Sequence, residues 1–460
     1  MKDVIYKLYG KIREIAKKLL GISYTPSYRL VNVNESELSN DSLVIRKEDK
    51  CAFFNEKIMI LGTVAKQELF PTENVVKIGS FSRLQDSFVR NSRHRTLGVE
   101  YAAAVSSWKI FIQNSKIPQG YRNEGLSYAG YIAETQNWCL PSWIWTNAAL
   151  VRMNCFCGNF GEAKRITDIL VSMQRPEGGW IVRFDYDAKG AIPVLAPNDS
   201  AYIANNACLE MYLATNDRRY LDSAERCANW IIETARSDGM VYVGYDFRES
   251  KWQKKYNIVD VGFTMGLFSR LYQVNEDRKY KDFLNRFADK YIELFYIRDK
   301  GFATSLDKDD CKKGGMFGRG QAWALEGLIP YYKLNKEKRI EVIINNTIKT
   351  LLKCQTHDGG WPYNLTRKLM GLDCKATAII ALALWKWYEI NPDRIDCLNA
   401  AENALKWCAN HTEKIGRGKG GIFSYSTEGA IVHSHYTSTA FVYSCAYAVE
   451  LDTALKRINR

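Results

Sequence analysis

Two aspartates, Asp199 in PNDSAYI and Asp260 in IVDVGFT, are the residues best placed to do chemistry in this chain. They stand 61 residues apart, each where a polar stretch turns into an apolar, helix-like run. A pair of carboxylates across one pocket suits general acid and base work at a glycosidic or enol-ether carbon. The same position also suits a plainer task, because Asp is a favoured helix N-cap that satisfies an orphan backbone N–H. Both readings stay open at this level. A third polar stretch reads GGMFGRGQAWALEG and carries Arg319, Gln321 and Trp323; a fourth carries Asp373 in DCKATAII. The forked donors of Arg bind carboxylate and sugar oxygens, and an indole offers a flat apolar face. Further candidates fall at equivalent places: Trp143 and Trp145 in PSWIWTN, Trp361 and Tyr363 in GGWPY, and His433 and His435 in IVHSHYT. An aromatic wall with a few polar groups is the usual build of a sugar site, although a ring-shaped core would be aromatic as well.

The elements that must position these residues announce themselves by repetition. Apolar helical text ends in a short turn built on asparagine at Asn159, Asn216, Asn275, Asn335 and Asn391, with gaps of 57, 59, 60 and 56 residues. Asn tolerates the left-handed backbone that closes a helix, and a period of this size marks an array of supersecondary units. A glycine followed by an apolar residue closes the other end of each unit, at Gly179-Trp180, Gly239-Met240, Gly301-Phe302, Gly360-Trp361 and Gly421-Ile422. The unit is a helical hairpin. First helices are expected to start near Ser142, Asp199, Asp260, Arg319, Asp373 and His435, and residues 101–113 form a helix able to pair with the last of them. AYIANNACLEMYLA and ATAIIALALWKWYEI are apolar around much of their circumference, as inner helices should be, whereas RRYLDSAERCANWIIETA has one apolar stripe and one charged face. The expected fold is all-α: an (α/α)6 toroid of about six hairpins over residues 91–460, with longer loops converging above the amino ends of the inner helices. Residues 1–90 form a small extension, in which 42–46, 52–54 and 57–61 read as short strands.

Composition narrows the function. At 46% apolar and 13% aromatic, 460 residues enclose one sizeable core. The twelve cysteines are scattered, many at core positions such as Cys208, Cys227, Cys397 and Cys445, where a thiol acts as a small hydrophobe; this suggests a reducing, cytoplasmic setting. The CxC pair Cys155 and Cys157 has no second pair nearby and there are only five histidines, so no metal and no cofactor is expected. The net charge of +13 comes from Lys and Arg spread over outer helices and turns, with no nucleic-acid motif or dense basic stripe, so no nucleic-acid partner is expected. An acidic oligosaccharide or polysaccharide fits that balance. Residues 1–22 make a basic amphipathic pattern, too charged for a signal peptide and too short for a span. It suits packing on the toroid or peripheral contact with the inner face of a membrane.

Arg319-Gly320-Gln321-Ala322-Trp323 resembles the RGQAW motif of the unsaturated glucuronyl hydrolases, glycosidases of the six-hairpin α/α-toroid type. Ile258-Val259-Asp260 resembles that family's central acidic segment one repeat upstream, Asp199 matches a further acid one repeat earlier, and Asp373 resembles an Asp-Ser-Ser-Ala segment. The similarity runs from about residue 197 to 383. It implies that Asp260 is the general acid and base, protonating the ring double bond of an unsaturated uronic acid and activating water, with Asp199 assisting. Arg319, Gln321, Trp323, Trp143, Trp361, Asp373, His433 and His435 are the implied or candidate substrate contacts. The sequence departs from the family at Asn198, where a His is usual, at Val261-Gly262-Phe263, and at Lys375, where a small Ser is usual. A polysaccharide lyase, a uronyl epimerase and a non-catalytic carbohydrate-binding toroid are the alternatives, because a fold does not dictate a reaction. QRPEGGW and QTHDGGW, with Asp307-Lys308-Asp309-Asp310, are similar to motifs of triterpene cyclases. The hydrophilic surroundings of the acid run argue against that reaction, and the Gln-Gly-Trp pattern reads more simply as a turn staple.

Overall fold

Helices whose residues are apolar on several sides have to be surrounded, and six of them form an inner ring. The computed structural model describes residues 27–31, 49–54, 57–63, 75–80, 97–120, 123–132, 137–139, 143–187, 190–247, 250–252, 257–366, 371–424 and 439–458. After helix α1 (Tyr101–Asn114) come the hairpin partners α2 (Thr146–Phe156) and α3 (Phe160–Ser172). Helix α4 runs as Pro197–Ile203, a π-helical segment Ala204–Leu209 and Glu210–Thr215, and returns as α5 (Arg218–Thr234). The 3-10 turn Val259–Gly262 leads into α6 (Phe263–Asn275), which pairs with α7 (Arg278–Phe295). Then follow α8 (Gly318–Asn335) with α9 (Lys338–Cys354), α10 (Cys374–Ile390) with α11 (Ile395–Asn410), and α12 (Val442–Ile458). Each inner helix packs on the next in the order α2, α4, α6, α8, α10, α12, and α12 returns to α2, so the ring closes. Helix α1 packs on α12 as the sixth outer helix. The expected toroid is the fold.

Burial follows the two sequence patterns. In α10 every residue from Cys374 to Trp385 is buried, whereas α5 buries one stripe that includes Tyr220, Ala224, Cys227 and Ile231. Cys208, Cys227, Cys397 and Cys445 lie in the core as free thiols. Among the described residues no helix is long and apolar enough to cross a membrane.

The asparagine turns are built differently from the expectation. Asn216 itself takes the left-handed conformation (φ 56°), but in the next two turns the residue after the asparagine does so, Glu276 (φ 56°) and Lys336 (φ 54°). Asn275 supplies a side-chain acceptor instead, taking the N–H of Asp277 at 3.2 Å, as Thr215 does for Asp217 in the preceding turn. At Asn159 the left-handed residue is Gly158, and Asn391 has a negative φ.

The two QxxxGxW segments are staples. Gln174 Nε2 donates to the carbonyls of Gly178 and of Ser223 on α5, and Gln355 Nε2 donates to those of Gly359 and of Ala400 on α11. The indoles of Trp180 and Trp361 donate back to Leu170 and Leu351, and their backbone N–H groups bond to Ser200 and Thr377 on the next inner helix. Each staple therefore ties an outer helix to its own turn, the next outer helix and the next inner one. Both indoles are wholly buried. Trp361, a candidate substrate contact from sequence, is a core wedge. The acid run is an exposed hairpin turn: Asp307 accepts the N–H groups of Asp309 and Cys311, and Asp310 pairs with Arg236 at 2.7 Å.

The strand content is larger than expected. Strands 52–54 and 57–61 are present within Asp49–Phe54 and Lys57–Thr63, joined by Ser27–Val31 and Val75–Ser80 in an antiparallel array. This array continues through Lys57, paired with Asp185, into Ile181–Asp187 and Gly190–Leu195 of the loop that leads to α4. The extension and a toroid loop share one eight-stranded sheet, with Tyr245–Asp246 and Lys251–Trp252 at its far edge. Residues 1–22 and 42–46 lie outside the described residues.

Candidate active site

The amino ends of the inner helices meet at one mouth of the toroid, where their partial positive charges favour an anion. Asp260 sits in the 3-10 turn Val259–Gly262, which packs against both the start of α4, carrying Asp199, and the start of α8, carrying Arg319. Two glycines permit this. A Cβ on Gly320 would meet Val259 Cγ1 at 2.5 Å, and one on Gly262 would meet Tyr291 Oη at 2.9 Å. Tyr291 in turn donates to the Val259 carbonyl at 2.8 Å. Burial, reinforced by the Asp260 charge, holds the Tyr291 phenol well above its ordinary pKa, so it stays protonated and anchors the turn.

Neither Asp199 nor Asp260 is an N-cap. The cap residue of the first part of α4 is Ala196, with Asp199 inside the first turn and Asn198 Nδ2 donating to Asp199 Oδ1 at 3.3 Å. Asp199 is buried and Asp260 partly buried. The capping task falls to Asp373, whose Oδ1 accepts from the Lys375 N–H at 3.1 Å and from Ser424 Oγ at 3.3 Å. Its Oδ2 lies 3.6 Å from Arg319 Nη1.

The Arg319 guanidinium is bedded in rings, 4.2 Å from the centroid of Phe317, 5.2 Å from Trp323 and 5.7 Å from Tyr363. Such faces attract a cation by their quadrupoles. Lys375, wholly buried, lies with Nζ 4.2 Å from the Phe441 ring. Burial first, and the Arg319 charge second, push its pKa well below the ordinary lysine value against the pull of Asp373. The rings make a nearly continuous wall. Trp323 packs on Phe263 (5.6 Å), Phe263 on Tyr202 (4.6 Å), Tyr202 on Trp145 (5.6 Å) and Trp145 on Trp143 (6.4 Å); Trp143 then stacks with Phe441 (6.5 Å).

The structure thus gathers Asp199, Asp260, Arg319, Trp323, Asp373 and Trp143 on one group of contacting elements. Gln321 departs from the expectation. It is fully buried, with Nε2 donating to the carbonyls of Phe302 and Phe317 and Oε1 accepting the N–H of Phe302. Its amide is consumed by backbone and has no group left for a sugar. His433 and His435 lie outside the described residues. Phe317, Phe441, Tyr202 and Phe263 are further aromatic residues of this group that the sequence did not single out as site residues. Their signal was faint, since aromatic residues are abundant throughout the chain.

The comparisons with known proteins bear on the family and the fold. The model of Glycosyl Hydrolase Family 88 matches residues 141–449. Among solved structures, the chain is similar to a heparin-specific unsaturated glucuronyl hydrolase, with a TM-score of 0.60 and 18% identity over 82% of this chain and 99% of that one. It is similar to the unsaturated glucuronyl hydrolase of Bacillus sp. GL1, with a TM-score of 0.59 and 14% identity over 78% and 97%. An α-mannanase of family 76 from Bacteroides thetaiotaomicron is nearly as similar, with a TM-score of 0.58 and 14% identity over 78% and 97%. A search of curated proteins finds no match.

Proposed function

The chain belongs to Glycosyl Hydrolase Family 88 and is a glycoside hydrolase; on that premise we propose that its substrate is an acidic oligosaccharide ending in an unsaturated uronic acid. The observation that supports an acidic substrate is Arg319, bedded in the rings of Phe317, Trp323 and Tyr363 at a mouth already made positive by helix amino ends. The substrate carboxylate lies against Arg319, and the aromatic wall takes the apolar face of the sugar ring. Asp260, held by Val259 and Tyr291 between the other two loops, is the general acid and base. It protonates the ring double bond and activates the water that adds across it; decay of the hydrated intermediate opens the ring and releases the remainder of the saccharide. Asp199 assists by holding charge beside it, and Asp373 is a positioning residue for Arg319 and Lys375.

The relatives named above act on unsaturated glucuronyl groups, which supports the same class here, although the mannanase with the same fold shows that the toroid alone does not select a sugar. The buried free thiols support a cytoplasmic setting. Residues 1–22 are the segment proposed to touch the inner membrane face, and residues 1–90 are proposed as a small strand-bearing extension to the toroid.

The test follows the ultraviolet absorbance of the conjugated double bond in a set of unsaturated uronyl disaccharides. Wild type is expected to remove it, and Asp260→Asn to be slower by about 10²- to 10⁴-fold, the usual worth of a positioned acid–base group. An Asp260→Asn variant as active as wild type would sink the assignment of that residue. A wild type inert on every uronyl disaccharide would sink the substrate class.

A further inference from the structure

The outer helices α5, α7 and α9 begin at Arg218, Arg278 and Lys338, so residues 60 apart occupy equivalent places in successive hairpins. The repeat is thus its own control for surface charge. In α7 two such places hold Asp289 and Glu293, and both are paired, Asp289 with Arg339 of the next outer helix at 2.5 Å and Glu293 with Lys290 at 2.8 Å. In α5 they hold Asn229, which accepts from Tyr280 Oη at 3.3 Å, and Glu233. In α9 they hold Lys349 and Lys353. Both lysines are exposed, and neither has an ion-pair partner among the described residues. The macrodipole of α9 favours a cation at Lys353, in its last turn, but the effect fades before Lys349.

The two lysines line one side of an open groove of about 540 Å³ between α9 and the first turn of α11, where Arg394 and Asp396 form the other side. Arg394 Nε and Nη2 each pair with Asp396 at 2.9 Å, and Nη1 reaches across to Asn345 Oδ1. Asp396 Oδ1 also accepts the Cys397 N–H, so this carboxylate is fully engaged. A second acid, Asp299, stands at the margin. Asn346 Nδ2 donates to it at 3.2 Å and to Tyr296 Oη at 3.1 Å, and Arg298 lies 3.9 Å from the same carboxylate. The lining therefore carries three cations against one carboxylate, with Leu352 as its apolar part and no aromatic ring. Asn345 Nδ2 and Asn346 Oδ1 are unengaged among the described residues.

We propose that this groove is a docking surface for an acidic polysaccharide, with carboxylates of the chain on Lys349 and Lys353 and sugar hydroxyls on the two asparagines. The identity of the polymer rests on the substrate class proposed above, whereas the preference for a polyanion rests on the groove alone. Lysines four residues apart present their charges on one helix face, which suits a chain of charges better than one small anion. Both ammonium groups can meet a ligand without breaking an ion pair. A nucleic acid is the poorer fit, because the lining offers no ring for a base to stack on. A bilayer would meet the convex outer helices before the groove between them. Helix α9 ends toward the mouth and leads through the Gln355–Trp361 staple into the loop that carries Tyr363, so a docked chain is held near the place where its end is cleaved.

Binding of the whole chain to immobilised polygalacturonate tests this, with dextran as the uncharged control. Wild type is expected to bind polygalacturonate and not dextran, and to bind more weakly as salt rises. Lys349→Glu/Lys353→Glu is expected to lower the affinity about tenfold, through two lost attractions and two new repulsions between exposed charges. Lys109→Glu/Lys414→Glu makes the same change in net charge at exposed places outside the groove, and is expected to stay within about twofold of wild type. Absence of binding by wild type overturns the proposal. So does equal affinity of the two variants, since net charge alone would then govern binding. Tighter binding to single-stranded DNA or to anionic vesicles, lost in the groove variant, gives the groove to another partner and overturns it as well. Disaccharide hydrolysis keeps this inference apart from the proposed function, because the groove variant is expected to turn over unsaturated uronyl disaccharides at the wild-type rate. A wild type inert on them, yet losing polygalacturonate in the groove variant alone, would defeat the substrate class and leave the docking surface standing.

Discussion

The two ends of the toroid hold the same kinds of cation and treat them in opposite ways. Helix α10 carries a lysine near each end, the buried Lys375 toward the mouth and the partly buried Lys386 toward the rear, and each has an arginine beside it that helps desolvation to lower its pKa. At the rear, Arg152 is clamped by two carboxylates at hydrogen-bond distance. At the mouth, Arg319 rests on three aromatic faces with its carboxylate neighbour 3.6 Å away, and Lys375 rests on a fourth ring. A carboxylate clamp fixes a cation and neutralises it. An aromatic bed attracts a cation through the ring quadrupoles without neutralising it as a close carboxylate does. The rear cation is therefore fixed by close carboxylates, whereas Arg319 at the mouth is held chiefly by rings with Asp373 at longer range.

The largest expected effect tests that contrast directly. Arg152→Met strands Glu326 and Glu450 in the interior, and breaking a buried pair from one side costs about 3–5 kcal/mol. Arg319→Met is expected to cost much less stability while lowering kcat/KM about 10- to 100-fold, as loss of a charge-assisted hydrogen bond to the substrate does. Urea midpoints and disaccharide kinetics on both variants decide it. If Arg319→Met is the more destabilised of the two, the proposed division of labour between the ends is wrong.

This division was only half legible in the sequence. The repeat of asparagine turns and glycine closures gave the toroid, because both ends of every hairpin carry a local signal and the inner helices carry an unusual composition. Asp199, Asp260 and Arg319 were legible because each begins an inner helix, and the amino ends of those helices meet. What the text does not encode is which atom of a motif is already engaged. Gln321 and Trp361 sit in conspicuous strings, yet the structure shows them satisfied by backbone carbonyls and buried. Asp373 turned out to be the cap that Asp199 and Asp260 were suspected of being. The rear network was missed although it left a trace, a single charge inside otherwise apolar inner-helix text: Arg152 in ALVRMNC, Glu326 in WALEGLI and Glu450 in AYAVELD. Such a charge can persist only with partners, and its partners come from helices far away in sequence.

A smaller effect sharpens the mouth itself by splitting the RGQAW string. Gln321→Ala leaves both the N–H and the carbonyl of buried Phe302 without their partner, at about 2–4 kcal/mol for the two groups together. KM for the disaccharide is expected to stay within about twofold of wild type where the variant is folded, since Gln321 makes no provision for substrate. A large rise in KM with unchanged stability would return Gln321 to the binding residues and show that its backbone bonds are expendable.

The subtlest comparison concerns pH and the base at the mouth. The folded-state pKa of Lys375 is depressed, chiefly by burial and then by Arg319, whereas in the unfolded chain it has the ordinary value near 10.5. Between those two values the unfolded chain binds the extra proton, so stability rises with pH across that window. The contribution is complete above 10.5 and is lost as pH falls through the folded value. Lys375→Met removes the group from both states and with it this slope. Urea midpoints of wild type and variant, measured at several pH values from neutral to about 10, are expected to diverge as pH rises, wild type gaining on the variant. Parallel curves would mean that Lys375 holds its proton in the folded protein at ordinary lysine strength. In that case its charge, like that of Arg152, would be balanced by a carboxylate, and the contrast between the two ends of the toroid would rest on Arg319 alone.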